Sequence, residues 1–408
     1  MITLICQLST PMNQFIRIAF TALFFTGLFS CKKSFAPPVT SADYAYLVVE
    51  GVINSGSDST TIKLSRTVPL GATSSLRPET GARVLVESDQ NAQYLLAEAV
   101  PGSYVTGNLN LPLNQKYRLH IYTSSNNEYV SDFVENKVTP AVDSISYQIL
   151  SAGVQFYVST HDPNNSTRYY RWEYGEAWTY YSVYPTVLMY QDGAVIGRPL
   201  DSNVNYCYKF SHPYENNIYA ASSDKLAKDE IYEYPLGYVP GKSWKFQSQY
   251  CFTVMQYALT ADAYKFWQLL KNNTENLGSI FDAQPTGAPS NFHCVSNPAE
   301  PVIGYASVST MTLKRIFFNN REFPFPVVPP PGVITSTNVD CSVDTVLFQP
   351  NATYNTRIFQ IFNSGAYVPV GISRDDLHIP NGYKYALTPC VDCRVDGGTT
   401  IKPSYWPF

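Results

Sequence analysis

Short segments rich in β-branched and aromatic residues recur from residue 46 onward, and turn-forming residues separate them. Segments 46–53, 82–87 and 117–122 are set apart by turn-rich pieces such as NSGSDS, LPLNQ and SSNNE. Strands at this regular spacing are typical of β-sandwiches. Only 15% of the residues are charged, whereas tyrosine, phenylalanine and proline number 32, 22 and 29. This balance favours strands and turns over amphipathic helices, so the sequence predicts a mainly β fold.

The length of 408 residues exceeds that of a typical single domain. A boundary is predicted near residues 139–140, where a proline ends the first run of strands. We therefore expect an N-terminal β-sandwich over residues 44–140, of the immunoglobulin-like or carboxypeptidase-regulatory-like kind. A larger β-rich domain is expected over residues 141–408, with a disulfide-rich C-terminal part.

Local patterns predict particular elements within these domains. Alternation over 116–122 turns Tyr117, Leu119 and Ile121 toward one face and His120 toward the other, which makes His120 a solvated strand residue. An apolar stripe predicts one short helix near 261–273, capped by Thr260. Beyond the helix, residues 302–308 and 312–318 are predicted to form a pair of strands.

An aromatic stretch occupies residues 169–190. Tyr170, Trp172 and Tyr174 alternate there with charged residues, so one face of the predicted strand is aromatic. Such a face either packs against the protein core or forms a platform for a sugar, a peptide or a partner. The sequence leaves both alternatives open.

An uncharged apolar stretch near the start ends at Cys31 and is followed by two lysines. It is too short to cross a bilayer as a helix but has the length of the apolar region of a signal peptide. Residues 28–31 (LFSC) resemble a lipobox, so residues 1–30 are expected to be removed and Cys31 to be lipidated. Residues 31–43 would then form a tether between the lipid anchor and the folded body. A plain secretory signal or a buried strand is the alternative.

The remaining cysteines fit an exported protein. Cysteine 6 would leave with the signal, and six cysteines would remain besides the lipidated one: Cys207, Cys251, Cys294, Cys341, Cys390 and Cys393. In an oxidising compartment this even number predicts up to three disulfides, with connectivity that spacing alone does not decide. Cys390 and Cys393 form a C-x-x-C pair, but no helical pattern follows it, so a structural disulfide is favoured over a redox motif. Its partner is either within the pair or a distant cysteine such as Cys341.

Sequence motifs for common chemistries are absent. The chain has no G-x-S-x-G, H-E-x-x-H, P-loop or G-x-G-x-x-G motif, and none of its five histidines has a second histidine at metal-ligand spacing. The net charge of −4 and the lack of a basic run argue against nucleic-acid partners. No cofactor, metal or catalytic residue is therefore predicted.

Several short motifs follow Cys31 in a fixed order. They are residues 47–51 (LVVEG), 80–84 (TGARV) with 102–104 (GSY), 275–282 (ENLGSIFD), 297–305 (NPAEPVIGY) and the tail from Cys390. In these motifs the chain resembles the domain of unknown function 4249 family, lipoproteins of Bacteroidota. The resemblance implies an outer-membrane lipoprotein, often encoded beside a TonB-dependent receptor, and no assigned chemistry. Lysines at positions 32 and 33, where surface-exported members tend to carry acidic residues, leave the periplasmic and cell-surface sides open.

Three functions follow as expectations. The first is a non-enzymatic lipoprotein that binds a ligand or docks on a TonB-dependent receptor. The second is a structural or adhesive surface protein, and the third is a hydrolase of glycans or peptides.

Overall fold

A computed structural model describes residues 45–68, 77–211, 217–275, 290–325, 341–349 and 356–407. The predicted signal peptide over 1–30, the predicted lipidation site Cys31 and the predicted tether over 31–43 lie outside the described residues, as does most of the family motif at 275–282. All described residues belong to one compact unit. The prediction of a mainly β fold with a short helical insertion is confirmed.

The first ten strands cover residues 47–135. They are β1 Leu47–Gly51, β2 Ile53–Asn54, β3 Thr60–Arg66, β4 Arg77–Pro78, β5 Arg83–Ser88, β6 Gln93–Val100, β7 Ser103–Thr106, β8 Lys116–Tyr122, β9 Glu128–Ser131 and β10 Val134–Glu135. The next nine and the first helix are β11 Val142–Leu150, β12 Gly153–His161, β13 Tyr169–Tyr181, β14 Leu188–Gln191, β15 Ala194–Gly197, β16 Tyr206–Ser211, β17 Tyr219–Ser222, β18 Glu230–Pro240, β19 Gln249–Ala258 and α1 Ala261–Glu275.

The rest of the described chain adds seven strands and one helix. They are β20 Phe292–Cys294, β21 Ile303–Gly304, β22 Val308–Ser309, β23 Met311–Asn319, β24 Asp344–Leu347, α2 Thr356–Phe362, β25 Tyr367–Arg374 and β26 Pro380–Leu387. Among all the described residues, no helix is both long and apolar enough to span a bilayer.

The N-terminal sandwich is a ladder of strands folded around one core. Strand β6 pairs with β5 through residues 93–96 and with β7 through residues 97–100, so it passes from one half of the ladder to the other. Tyr117, Leu119 and Ile121 of β8 are buried in this core, as their alternation predicts.

The prediction that His120 is solvated is wrong. Its side chain is buried because carboxylates on both neighbouring strands enclose the ring. Nδ1 lies 2.9 Å from Glu87 Oε1, and Nε2 lies 2.7 Å from Glu128 Oε1. A polar face of a strand can therefore be enclosed when neighbouring strands supply hydrogen-bond partners.

Strands from beyond residue 290 complete the sandwich. β20 pairs with β9, while β21 and β22 pair in parallel with β1 and β2. The prediction that 302–308 pairs with 312–318 is wrong, because β23 instead pairs with β19. Phe292, Val302 and Val308 join the same core as β1 to β9, so the sandwich uses chain from both sides of residue 140.

Strands β11 to β13, β16 to β19 and β23 form a second body, which contains two sheets around one aromatic core. One sheet has the order β16-β13-β19-β23 with β17 also on β13, and the other has the order β11-β12-β18. Side chains of both meet in the core, where the rings of Phe156 and Phe252 stack 4.2 Å apart. Helix α1 begins where predicted, with the Thr260 hydroxyl accepting a hydrogen bond from the Ala263 N–H at 3.2 Å.

A smaller cluster lies near the C-terminus. Strands β24, β26 and β25 form a three-stranded sheet, and α2 packs Ile358 and Phe362 against Val346 of β24.

Candidate functional site

The predicted aromatic binding face is buried. Tyr170, Trp172 and Tyr174 are at most 5% exposed, because the three-stranded sheet covers the face of β13 from which they project. Trp172 Nε1 donates a hydrogen bond to Gln256 Oε1 at 2.7 Å, and the Tyr170 hydroxyl bonds to Asp229. The interpretation of these residues as an exposed platform is therefore wrong, and the alternative of a core-facing strand is right.

The opposite, outer face of the same sheet forms a cleft. Register places Gly175 of β13, Thr253 of β19 and Arg315 of β23 in one row across three strands. Met255 and Leu313 pair in the adjacent row, and β-strand alternation puts both rows on the outer face. A cavity of about 560 Å³ lies above them.

The C-terminal tail, residues 397–407, forms a wall of this cleft. The described lining consists of Gly175, Glu176, Ala177, Phe210, Thr253, Met255, Leu313 and Arg315 from the sheet, and of Thr399, Ile401, Pro403 and Tyr405 from the tail. Most of these residues are apolar, so the cleft presents an apolar surface to solvent.

Three kinds of contact hold the tail in place. The backbones of Thr399 and Tyr208 exchange hydrogen bonds of 2.7 and 2.8 Å. Trp406 is buried against Tyr208 and Phe317, and its Nε1 donates to Gln249 Oε1 at 2.8 Å. A disulfide joins Cys207 of β16 to Cys393, just before the tail. The tail is therefore fixed to the sheet at Thr399 and at Trp406, and the residues between them line the cleft.

Arg315 supplies the positive charge of the cleft. Its guanidinium lies over the Tyr405 ring, 4.1 Å from the ring centre, in a cation–π arrangement. Its Nε is buried and has no hydrogen-bond partner among the described residues. The Glu176 carboxylate does not neutralise it, because Tyr250 Oη and Lys245 Nζ each lie 2.6 Å from that carboxylate on the inner side of the sheet.

The six cysteines divide into two disulfides and two thiols. Cys207 bonds to Cys393 and Cys341 to Cys390, so the C-x-x-C cysteines pair with distant partners and not with each other. The third predicted disulfide is absent from the described residues, because Cys251 and Cys294 are buried in separate cores. Burial raises the pKa of the Cys251 thiol to about 11, which keeps this group protonated at neutral pH.

The described histidines are dispersed. His161 Nδ1 lies 2.7 Å from Asp143, and His293 Nε2 lies 2.9 Å from Asp132, both near the surface. No group of three histidine, cysteine or carboxylate side chains in the described ranges is placed to hold a metal ion.

Sequence reasoning missed the cleft because its residues come from distant parts of the chain. Arg315 and Tyr405 are 90 positions apart, and each reads as an ordinary strand or tail residue. The pairing register between β13, β19 and β23 would have placed Thr253 beside Arg315, but a single sequence does not specify that register.

Comparison with known proteins gives mainly a family. No curated protein matches this chain. Among solved structures, a two-domain fibronectin type-III segment of chicken tenascin is similar at 11% identity, covering 52% of this chain and 88% of that one, with a TM-score of 0.14. A "putative carbohydrate binding protein" from Bacteroides uniformis is similar at 9% identity, covering 53% and 90%, with a TM-score of 0.12. Scores this low carry no argument about fold or function.

The family resemblance found in the sequence is confirmed. The profile of the family described as "Domain of unknown function (DUF4249)" matches residues 32–315. The match begins directly after Cys31 and ends at Arg315, so it includes the sandwich and the floor of the cleft but not the C-terminal tail. The chain belongs to the DUF4249 family.

Proposed function

We propose that this protein is a lipid-anchored, non-enzymatic protein of the cell envelope that binds a ligand in the cleft between the outer sheet face and the C-terminal tail. It would serve as an accessory partner of a TonB-dependent outer-membrane receptor. The observation that carries the proposal is the cleft itself. Its volume of about 560 Å³ lies in the range of small-molecule sites, which are mostly apolar with few polar groups.

Solvent-exposed apolar side chains around the cleft support a binding role. Phe210 is 43% exposed, Leu313 39% and Tyr405 36%. Apolar groups gathered around a concave surface gain free energy when a ligand removes them from water.

The polar groups of the lining support binding over catalysis. They are the hydroxyls of Thr253, Thr399 and Tyr405, the guanidinium of Arg315 and the carboxylate of Glu176. A threonine nucleophile requires a neighbouring base, and the Glu176 carboxylate is held on the other side of the sheet. We therefore assign the cleft to capture of a ligand and not to its hydrolysis.

The anchor and the receptor rest on sequence and family. The lipobox-like end at Cys31 supports lipidation, and the acyl chains of a lipoprotein hold it at the membrane. Family resemblance supports a TonB-dependent partner and attachment to the outer membrane. It does not distinguish the periplasmic side of that membrane from the cell-surface side.

Binding can be tested with N-phenyl-1-naphthylamine, a neutral probe that fluoresces in apolar sites. Leu313→Trp should fill the cleft and abolish saturable fluorescence. Leu377→Trp is the matched control, because Leu377 is 78% exposed and does not line the cleft. Equal binding by both variants and the wild type would remove the support for the site.

The anchor and partner need a test in cells. Metabolic labelling with an alkyne fatty acid should mark the wild type and not Cys31→Ala. Purification of the labelled protein in mild detergent should recover a β-barrel receptor, and its repeated absence would refute that part of the proposal.

A structural or adhesive role is the second candidate. The observation that favours it is the pair of disulfides, which span 186 and 49 residues and fasten the C-terminal part. An adhesive protein should retain a cell-surface polymer after Leu313→Trp, whereas a cleft-dependent binder should lose its ligand.

A further inference from the structure

We propose that the ligand of the cleft is an amphiphilic carboxylate, with its anionic group on Arg315 and its apolar body over Met255 and Leu313. This inference rests on the proposed binding function and adds the chemical class of the ligand.

The geometry of Arg315 points to an acceptor that the described protein does not supply. The guanidinium carbon lies 4.1 Å from the centre of the Tyr405 ring, and the two Nη groups, which have no hydrogen-bond partner among the described residues, are the donors left for a ligand. Nε–H is buried and has no hydrogen-bond partner among the described residues. A buried donor without an acceptor is costly, and a carboxylate matches the fork of N–H groups along a guanidinium edge.

Carboxylates on the neighbouring elements are already engaged by other groups. Glu173 Oε1 on β13 lies 2.5 Å from the Arg171 guanidinium, and Glu176 is bound by Lys245 and Tyr250. Asp392, before the tail, is bound by Arg394 at 2.6 Å. The positive charge of Arg315 is therefore not compensated by these acids, which favours an anionic ligand.

The rest of the lining determines the body of the ligand. Met255, Leu313, Ile401 and Pro403 offer no hydrogen-bonding side chains. Besides Arg315, the polar side-chain groups of the lining are the hydroxyls of Thr253, Thr399 and Tyr405 and the carboxylate of Glu176, which Lys245 and Tyr250 already engage. A polyhydroxylated sugar would lose water without gaining enough partners. An apolar chain or ring instead gains roughly fourfold in affinity for each methylene group buried.

The test is calorimetric titration of the mature-length chain, residues 31–408 with Cys31→Ser, against three probes. Dodecanoate and 2-naphthoate supply the carboxylate on a chain and on a ring, and dodecanol is the neutral match for dodecanoate. The wild type should bind dodecanoate about tenfold or more tightly than dodecanol. Arg315→Gln should lose this preference, so that it binds dodecanoate and dodecanol with similar affinity. Arg315→Lys, which keeps the charge but not the fork, should retain part of it.

Comparable affinity for dodecanoate and dodecanol in the wild type, unaltered by Arg315→Gln, would overturn the inference and leave cleft binding intact. If the wild type binds none of the three probes and does not bind N-phenyl-1-naphthylamine, both the inference and the proposed binding function are overturned. Tighter binding of either carboxylate than of dodecanol by the wild type, lost in Arg315→Gln, supports the inference. The carboxylate that binds more tightly then shows whether the body of the ligand is a ring or a chain. Urea unfolding of Arg315→Gln controls for the fold, and Leu377→Trp, which should bind like the wild type, controls for substitution at a distant surface.

Discussion

The segments of the N-terminal sandwich around Tyr104 and Glu98 and the outer face of the five-stranded sheet use their polar groups differently. In the sandwich, the Tyr104 hydroxyl donates to Glu79 O at 2.8 Å and accepts from Ala82 N at 2.9 Å. The Glu98 carboxylate accepts from the N–H groups of Gly81 and Gly102 at 2.9 and 2.8 Å. On the outer sheet face, Arg315 Nε has no such partner among the described residues.

This difference teaches what the family motifs encode. Residues 80–84 and 102–104, which carry the resemblance, lie at the hydrogen bonds of Tyr104 and Glu98. Glu300 of the motif at 297–305 accepts from the Tyr129 hydroxyl at 2.7 Å and joins the later strands to the sandwich. These motifs hold the sandwich together, whereas the sheet residues that form the floor of the cleft belong to none of the motifs.

The largest predicted effect concerns the disulfide beside the cleft. Replacing Cys207 and Cys393 by serine should lower the free energy of unfolding of the second body by about 4 kcal/mol, because the bond closes a long loop in the unfolded chain. Urea unfolding of the double variant measures this loss, and loss of probe binding should accompany it. An unchanged midpoint with binding retained would show that the tail does not depend on this bond.

A similar test addresses the sandwich. Gly304→Ala should destabilise the protein by about 3 kcal/mol. Gly304 has a φ of +138°, and an added Cβ would lie 2.2 Å from Val49 O on the adjacent strand. Gly107→Ala is the control, because its Cβ would meet nothing within 4 Å. Equal stability of the two variants in urea unfolding would contradict the close pairing of β21 with β1.

A pH effect is expected at the turn between β12 and β13, which connects the two sheets of the second body. Burial alone would raise the pKa of Asp162, but the Ser166 hydroxyl and three backbone N–H groups outweigh it and lower the pKa to about 2. A depressed carboxyl pKa contributes stability above the unfolded-state value, about 3.9, which is lost as pH falls through about 2. The loss should be about 2 kcal/mol between pH 5 and pH 2, measured by urea unfolding, and Asp162→Asn should remove this part of the pH dependence.

The smallest stability effect is expected at the cleft. Leu313→Trp should change the free energy of unfolding by less than about 0.5 kcal/mol, because Leu313 is half-exposed. The same substitution should abolish probe binding, which separates function from stability. A large destabilisation would show that Leu313, like Gly304, is needed for the stability of the fold.

Local signals in the sequence predicted much of the fold. The strands around 60–66, 83–88 and 116–122 and the cap of α1 at Thr260 follow from alternation and from helix-start chemistry. Non-local facts were not predictable in this way. The partner of each cysteine, the burial of His120 and the covering of Trp172 depend on which strands lie side by side. Neighbouring strands can be far apart in the chain, as the separation of 186 residues between Cys207 and Cys393 shows.

The cleft shows the same limit for function. The aromatic residues of β13 predicted a binding face on what is the inner face of the sheet, where their rings form the core. The accessible surface lies on the outer face, which carries Gly175. A glycine among aromatic residues at 169–181 was the available signal, but only the position of the tail gives it meaning.

The most direct test of the central claim is hydrogen–deuterium exchange of the mature-length chain with and without N-phenyl-1-naphthylamine. If the cleft is the binding site and the sandwich is structural, the probe should slow exchange in the tail at residues 399–405. Exchange over residues 47–135 should stay the same. Slower exchange in the sandwich with an unchanged tail would contradict the account.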